Sequence, residues 1–159
     1  MKIYLVQHAE AKSAEEDPSR SLSPEGELNI GRVARHLGNL GLGVDVILCS
    51  DKLRAIQTAE ALAKSIRVKE GVRVRDDLNP NDDVRPMGRL LDDMFRKGYS
   101  SVAIVGHLPF LGRLASLLIA GSEDLSLVTF QNAGVVMLQP KPLGGGYSIG
   151  WVLTPAIVA

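Results

Sequence analysis

Short apolar runs, rich in β-branched residues, alternate along the chain with longer stretches in which apolar positions recur at spacings of three and four. The runs Ile3 to Val6, Val44 to Cys49, Val72 to Arg75 and Val102 to Val105 read as strands. Ser23 is placed to cap a first helix, with Pro24 at the tolerated first position and Glu25 and Glu27 complementing the dipole. Its buried stripe is Ile30, Val33, Ala34, Leu37 and Leu40. A second helix follows Ser50, with Ala55, Ala59, Leu62 and Ile66 facing inward, and a third follows Pro86, with Met87, Leu90, Leu91, Met94 and Phe95. A fourth runs from Pro109 through Leu111, Leu114, Ala115 and Leu118. Val135 to Leu138 and Ile149 to Leu153 close the chain as expected edge strands, joined through Gly144-Gly145-Gly146 in a hairpin loop. This alternation predicts an α/β fold of three layers, α/β/α, with a mostly parallel central sheet.

Composition narrows the class without changing the picture. A chain of 159 residues that is 45% hydrophobic and 23% charged is expected to form one domain, residues 1–159, with a core that needs no disulfide. Lys plus Arg and Asp plus Glu both number 18, so there is no global basic field to collect nucleic acid or anionic lipid. Any anion site has to be built locally. Cys49 stands alone, which excludes an internal disulfide and every Cys-x-x-Cys arrangement. The first apolar run turns polar at Gln7-His8, too soon for a signal peptide, and nowhere do 18 apolar residues run together. The expected location is the cytoplasm, with no membrane partner.

The polar residues directly after three of the strands carry the chemistry. Gln7-His8 comes after the first, Ser50-Asp51-Lys52-Leu53-Arg54 after the second, and Gly106-His107-Leu108-Pro109 after the fourth. In open α/β sheets the ligand site lies beyond the carboxyl ends of the strands. If these strands are neighbours, two histidines and an arginine meet at one sheet edge beside helix N-termini, whose free N–H groups and positive dipole ends favour an anion. One histidine after a strand is more often a capping or hydrogen-bonding group than a catalyst; two at equivalent strand ends shift that balance. Arg54, a cation in the first turn of a helix, opposes the dipole and calls for a compensating anion. His36 falls on the polar side of the first helix and has no assigned role. A zinc site built from His8, His107 and Cys49 has the ligand types but lacks the usual spacings, and Cys49 is expected to point into the core. No Walker loop or Gly-x-Gly-x-x-Gly comes after any strand.

Four segments, in order, resemble the histidine phosphatase superfamily and, within it, the small SixA-type phosphohistidine phosphatases. Leu5-Val6-Gln7-His8-Ala9-Glu10-Ala11 is similar to the first-strand motif with the nucleophilic histidine. Arg20-Ser21-Leu22-Ser23-Pro24-Glu25-Gly26 resembles Arg-x-Leu-Thr-x-x-Gly, and the segment from Cys49 to Ala59 resembles Ser-x-x-x-Arg-Ala-x-x-Thr-Ala. Val105-Gly106-His107-Leu108-Pro109 is similar to the Gly-His-x-Pro segment with the second histidine. The resemblance covers nearly the whole chain and implies a phosphoglycerate mutase-like fold. It departs at one position: the superfamily signature usually reads Arg-His-Gly, whereas here Gln7 puts a neutral amide where a permanently charged fork is usual.

The resemblance implies a metal-independent, cofactor-free phosphatase in which His8 attacks phosphorus and is transiently phosphorylated. Gln7, Arg20, Arg54 and His107 would bind the phosphoryl oxygens. Candidates for a general acid are Asp76, Asp77, Asp82 and Asp83, although Asp and Asn beside Pro80 are also ordinary turn chemistry. Connections of ordinary length leave nothing spare to roof the site, and an open mouth suits a phosphorylated side chain on another protein, such as a histidine phosphotransfer domain. Two alternatives remain open: a phosphate- or phosphoprotein-binding module with little turnover because of Gln7, and a small phosphomonoester hydrolase. Neither the sequence pattern nor the resemblance bears on oligomeric state.

Overall fold

A computed structural model of the protein describes residues 1–158. Eight strands and four helices succeed one another as β1 (Lys2–Gln7), α1 (Pro24–Asn39), β2 (Gly43–Val44), β3 (Val46–Ser50), α2 (Leu53–Ala63), β4 (Arg67–Val68), β5 (Val72–Arg75), α3 (Arg85–Arg96), β6 (Ser101–Gly106), α4 (Phe110–Ala120), β7 (Val135–Pro140) and β8 (Tyr147–Leu153). Six strands form one sheet in the order β5-β3-β6-β1-β7-β8. β5, β3, β6 and β1 pair in parallel, while β7 runs antiparallel to β1 and β8 antiparallel to β7. The expected three-layer α/β/α architecture with a mostly parallel central sheet is therefore present, and with it the parallel junction of β3, β6 and β1.

Alternation along the strands divides the core into two. Tyr4, Val6, Ile47 and Cys49 face the layer of α1 and α2, while Ile3, Leu5, Val46 and Leu48 face α3 and α4. Because the central strands are covered on both faces they read as continuous apolar runs. Each large side chain buried there contributes about 1.5–3 kcal/mol relative to exposure. Ser23 caps α1 by accepting from Gly26 N, as expected. Gly26 has a second reason to be glycine: a Cβ there would stand 2.1 Å from Glu10 O.

Several expectations need correction. Val44 to Cys49 is not one strand, because Asp45 interrupts it. The Asp45 carboxylate accepts from Ser100 N and Ser101 N, and Gly43–Val44 pairs instead with β4 in a separate two-stranded sheet. Of the two closing strands only β8 is an edge; β7 lies between β1 and β8. Leu40 is 70% exposed because it sits at the C-cap of α1, beyond the helical stripe, and Phe95, in the last turn of α3 and one residue past buried Met94, is 60% exposed. Ile66 is buried but lies beyond the end of α2.

Candidate active site

The parallel register sets the site. Gln7 lies opposite Gly106 and Cys49 opposite Val105, so the residues leaving β1, β6 and β3 emerge side by side at the carboxyl edge of the sheet. His8 and His107 are the next residues after the Gln7–Gly106 pair, and their ring centroids are 5.0 Å apart with the planes tilted by 58°. Both imidazoles thus face one locality.

The His8 backbone is pinned from two sides. His8 N donates to Gly106 O at 3.0 Å, and His8 O accepts from Asn132 Nδ2 at 2.9 Å. Its Nδ1 lies 2.8 Å from Ala9 O. A carbonyl can only accept, so Nδ1 carries the proton and Nε2 keeps its lone pair. Burial lowers the His8 pKa, Arg54 and Arg20 add to that, and the Ala9 hydrogen bond opposes it; the net direction is downward, toward the neutral ring.

His107 is 2% exposed. Burial, followed by the charges of His8, Arg54 and Lys52, pushes its pKa down to about 3, with Asp51 pulling weakly the other way. Its Nε2 is 2.8 Å from Ser50 Oγ, whereas its Nδ1 is buried without a hydrogen-bond partner among the described residues.

The two arginines arrive by different routes. Arg54 lies in the first turn of α2, and its buried Nε has no partner among the described residues. Burial lowers its pKa and the nearby charge of Arg20 lowers it further. Arg20 adopts a left-handed backbone, φ 49°, which costs a non-glycine residue of order 1 kcal/mol or more. The loop holds it there: Arg20 N donates to Asp17 O, the Asp17 carboxylate accepts from Ser19 N and Ser21 N, and Arg20 Nε donates to Lys12 O. Two cations held within reach of each other make a local field that favours an anion.

Gln7 ends β1 half-buried, and its Oε1 is buried and unpartnered among the described residues. Of the four acidic candidates, Asp77 is bound through both oxygens to Arg75 at 2.7 and 2.6 Å, and Asp83 is held by Arg85. These partners depress both carboxyls below the ordinary range, Arg75 doing so for Asp77 and Arg85 for Asp83, and so keep them ionised. Asp82 accepts from Asn79 N at 2.8 Å in a turn. Asp76 is exposed and borders a surface depression with Asp51 and Arg75. Asp77 and Asp83, held ionised by their arginines, are thus unsuited to donate a proton, and among the described residues neither imidazole is hydrogen-bonded to any of the four.

Three site residues escaped sequence reasoning. Thr58, fully buried on α2, accepts from Ala9 N at 2.9 Å and donates to Arg54 O at 2.7 Å, tying the His8 loop to the helix that carries Arg54. Its place in the Arg-Ala-x-x-Thr-Ala segment was the available signal. Ser50, through His107 Nε2, and Asn132, through His8 O, are the other two; Ser50 opens that same segment, which was its signal, whereas nothing in the local sequence of Asn132 announces it. Cys49 faces the α1–α2 core and burial pushes its thiol up to about 11, which leaves it a poor metal ligand. Among the described residues no group of three or more His, Cys, Asp or Glu is placed to hold a metal, and no helix is long and apolar enough to cross a membrane.

One bare imidazole nitrogen, a second histidine beside it and two neighbouring arginines give this edge of the α/β/α scaffold the donors and the local charge to receive an anion. The sequence profile of the histidine phosphatase superfamily, branch 1, matches residues 3–82, and the chain belongs to that superfamily. It is 26% identical over 156 residues to the phosphohistidine phosphatase SixA of Escherichia coli, covering 98% of this chain and 94% of that protein. An uncharacterized protein of Picosynechococcus sp. is 31% identical over 148 residues, covering 87% of this chain and 85% of its own. Among solved structures, the protein histidine phosphatase SixA complexed with tungstate superposes with a TM-score of 0.86 at 24% identity over 98% of both chains. A putative α-ribazole-5′-phosphate phosphatase of Escherichia coli superposes with a TM-score of 0.75 at 16% identity over the whole of both chains. These structures share the phosphoglycerate mutase-like fold.

Proposed function

We propose that residues 1–159 form one phosphatase domain that hydrolyses phosphohistidine on a protein through a phosphorylated His8. The observation that carries this reading is the state of His8: Nδ1 is committed to Ala9 O, and Nε2 is left bare at an edge shared with Arg54 and His107. The first step forms a bond from His8 Nε2 to phosphorus and breaks the bond from phosphorus to the substrate nitrogen. A phosphoimidazole protonated on its second nitrogen departs as neutral imidazole, so the step needs no carboxylic acid to protonate the leaving group. Arg54, Arg20, His107 and Gln7 hold the three equatorial oxygens, whose charge must be balanced throughout. Water then displaces His8 from phosphorus and releases inorganic phosphate. No step calls for a metal or an organic cofactor.

A protein substrate is supported by the surroundings of His107. The residues after it open onto a groove of about 540 Å³ whose lining includes Leu108, Leu125, Leu127 and Phe130. The three leucines are 41–49% exposed, an apolar margin suited to the flank of another protein. The similarity to SixA supports the same class. The small-molecule alternative draws on the fold shared with the α-ribazole phosphate enzyme, and the binding-module alternative on Gln7.

The test is to incubate the protein with a histidine-phosphorylated phosphotransfer domain and, separately, with an aryl phosphate. Faster release of phosphate from the domain is expected. Preference for the ester would establish the small-molecule reading, and tight association with the phosphorylated domain without release would establish the binding module. A cytoplasmic site of action is part of the proposal, since the expected donors of phosphohistidine are relay proteins.

A further inference from the structure

The hydrogen-bond accounting around His107 leaves one arrangement better satisfied than the other. Ser50 is fully buried, and its Oγ has two partners among the described residues: Lys52 N–H, which donates to it at 3.3 Å, and His107 Nε2 at 2.8 Å. Lys52 N belongs to the start of α2, where backbone N–H groups have no intrahelical acceptor. That bond can run only toward the hydroxyl oxygen. The contact with the imidazole can run either way.

If Nε2 carried the proton, it would donate to Ser50 Oγ. The hydroxyl would then accept twice, its own hydrogen would be buried without an acceptor, and Nδ1 would be a buried acceptor without a donor among the described residues. Two groups would be stranded, and each buried unsatisfied group is costly. If instead Ser50 O–H donates to Nε2, the hydroxyl is complete, accepting once and donating once. The proton then sits on Nδ1, and that N–H is the single group left without a partner. A donor is what an anion would complete.

We propose that Ser50 is a positioning residue that holds His107 in its Nδ1–H tautomer, so that the ring meets a phosphoryl oxygen as a neutral N–H donor. His107 is neutral at ordinary pH, with burial the largest influence on it, then the charges of His8, Arg54 and Lys52, and Asp51 opposing them. The arrangement has a chemical consequence. A neutral donor whose ring centroid is 5.0 Å from that of His8 stabilises the transferring group without placing a second full positive charge against the nucleophile. The two histidines are thereby differentiated by opposite partners: a carbonyl on Nδ1 leaves His8 with a bare Nε2, and a hydroxyl on Nε2 leaves His107 with a protonated Nδ1.

The inference rests on the assignment of His107 to the phosphoryl site, and its test separates the two. Long-range nitrogen–proton NMR correlation on the nitrogen-15-labelled protein near neutral pH reads the tautomer directly, with His107→Gln identifying the resonances by difference. The expected result is a protonated Nδ1 and a bare Nε2. In Ser50→Ala the Nε2–H form should appear, and vanadate should bind about tenfold more weakly through loss of an oriented donor. Should that variant fail to fold, Ser50→Cys, with its weaker S–H donor, is read for the same two changes. An Nε2–H ring in the natural protein overturns the proposal, as does a Ser50 variant that leaves tautomer and vanadate affinity unchanged. A protein that shows the Nδ1–H ring and binds vanadate but never turns over substrate would sink the hydrolase reading while supporting this one. A natural protein that does not bind vanadate would overturn the donor role.

Discussion

Acid should destabilise this fold through His107 before most carboxylates are protonated. The folded ring has its pKa pushed from 6.5 to about 3 by burial and then by the charges of His8, Arg54 and Lys52, and unfolding returns it to the ordinary value. Between those two values the unfolded chain binds more protons than the folded one, so stability rises with pH. The contribution is complete above about pH 6.5 and is lost as pH falls from there toward 3. Each pH unit in the window costs about 1.4 kcal/mol. At a pH of about 4.5 the loss is therefore about 2.7 kcal/mol, a large share of the roughly 5–15 kcal/mol that holds a domain together. His8, also lowered, steepens the same slope. Asp45, Asp77 and Asp83 are depressed carboxyls, so their contributions are lost only as pH falls below their ordinary value near 3.8. Urea unfolding between about pH 7 and 4.5, analysed by linear extrapolation, measures the slope. His107→Gln keeps an amide donor but cannot titrate, and its slope should be shallower by about one proton. Equal slopes in the two proteins, or an imidazole of His107 that titrates near 6.5 by NMR, would refute the reasoning.

Three further outcomes are expected. His8→Ala should abolish phosphate release and leave circular dichroism unchanged, whereas His107→Ala should slow release but still allow an acid-labile, alkali-stable label to be trapped on His8; label recovered on Ser, Asp or His107 would contradict the assignment. Gln7→Arg should raise kcat/KM about five- to thirtyfold, since exchanging a neutral for a charged hydrogen bond is worth roughly 1–2 kcal/mol. A clear fall in Gln7→Arg would give the buried Gln7 Oε1 a positive role instead. Thr58→Val should cost about 1–3 kcal/mol by stranding the buried Ala9 N–H, read as a lowered Tm, and should lower kcat/KM as well because Thr58 joins the His8 loop to the Arg54 carbonyl.

The fold was legible where one physical signal acted alone. β1 and β6 are covered on both faces and form unbroken apolar runs, while α1 carries its own start signal in Ser23-Pro24 and its stripe in Ile30, Val33, Ala34 and Leu37. Legibility failed where a tertiary partner decided the outcome. Asp45 splits an apolar run because its carboxylate satisfies amides 55 and 56 residues away. β7 has the same composition whether it ends a sheet or lies inside one, and only its pairing with β1 on one side and β8 on the other places it.

The same distinction runs through the site. His8, Arg54 and His107 could be brought together from sequence because parallel pairing forces residues that end neighbouring strands onto one edge, whatever their side chains are. Strand pairing locates groups and leaves their protonation open. The groups that hold them come mostly from across the fold: Ser50 meets His107 over 57 positions, Thr58 holds the Ala9 backbone over 49 and Asn132 the His8 backbone over 124, while the proton on His8 Nδ1 answers to the neighbouring Ala9 carbonyl. Arg20 shows the limit from the other side, since its motif marked it as a candidate phosphate ligand while its left-handed backbone depends on an Asp17 carboxylate whose role no spacing reveals. A site of this kind is thus specified twice. The strand order chooses which residues meet, and the buried hydroxyls and carbonyls behind them determine which nitrogen of each imidazole is bare and which bears the proton.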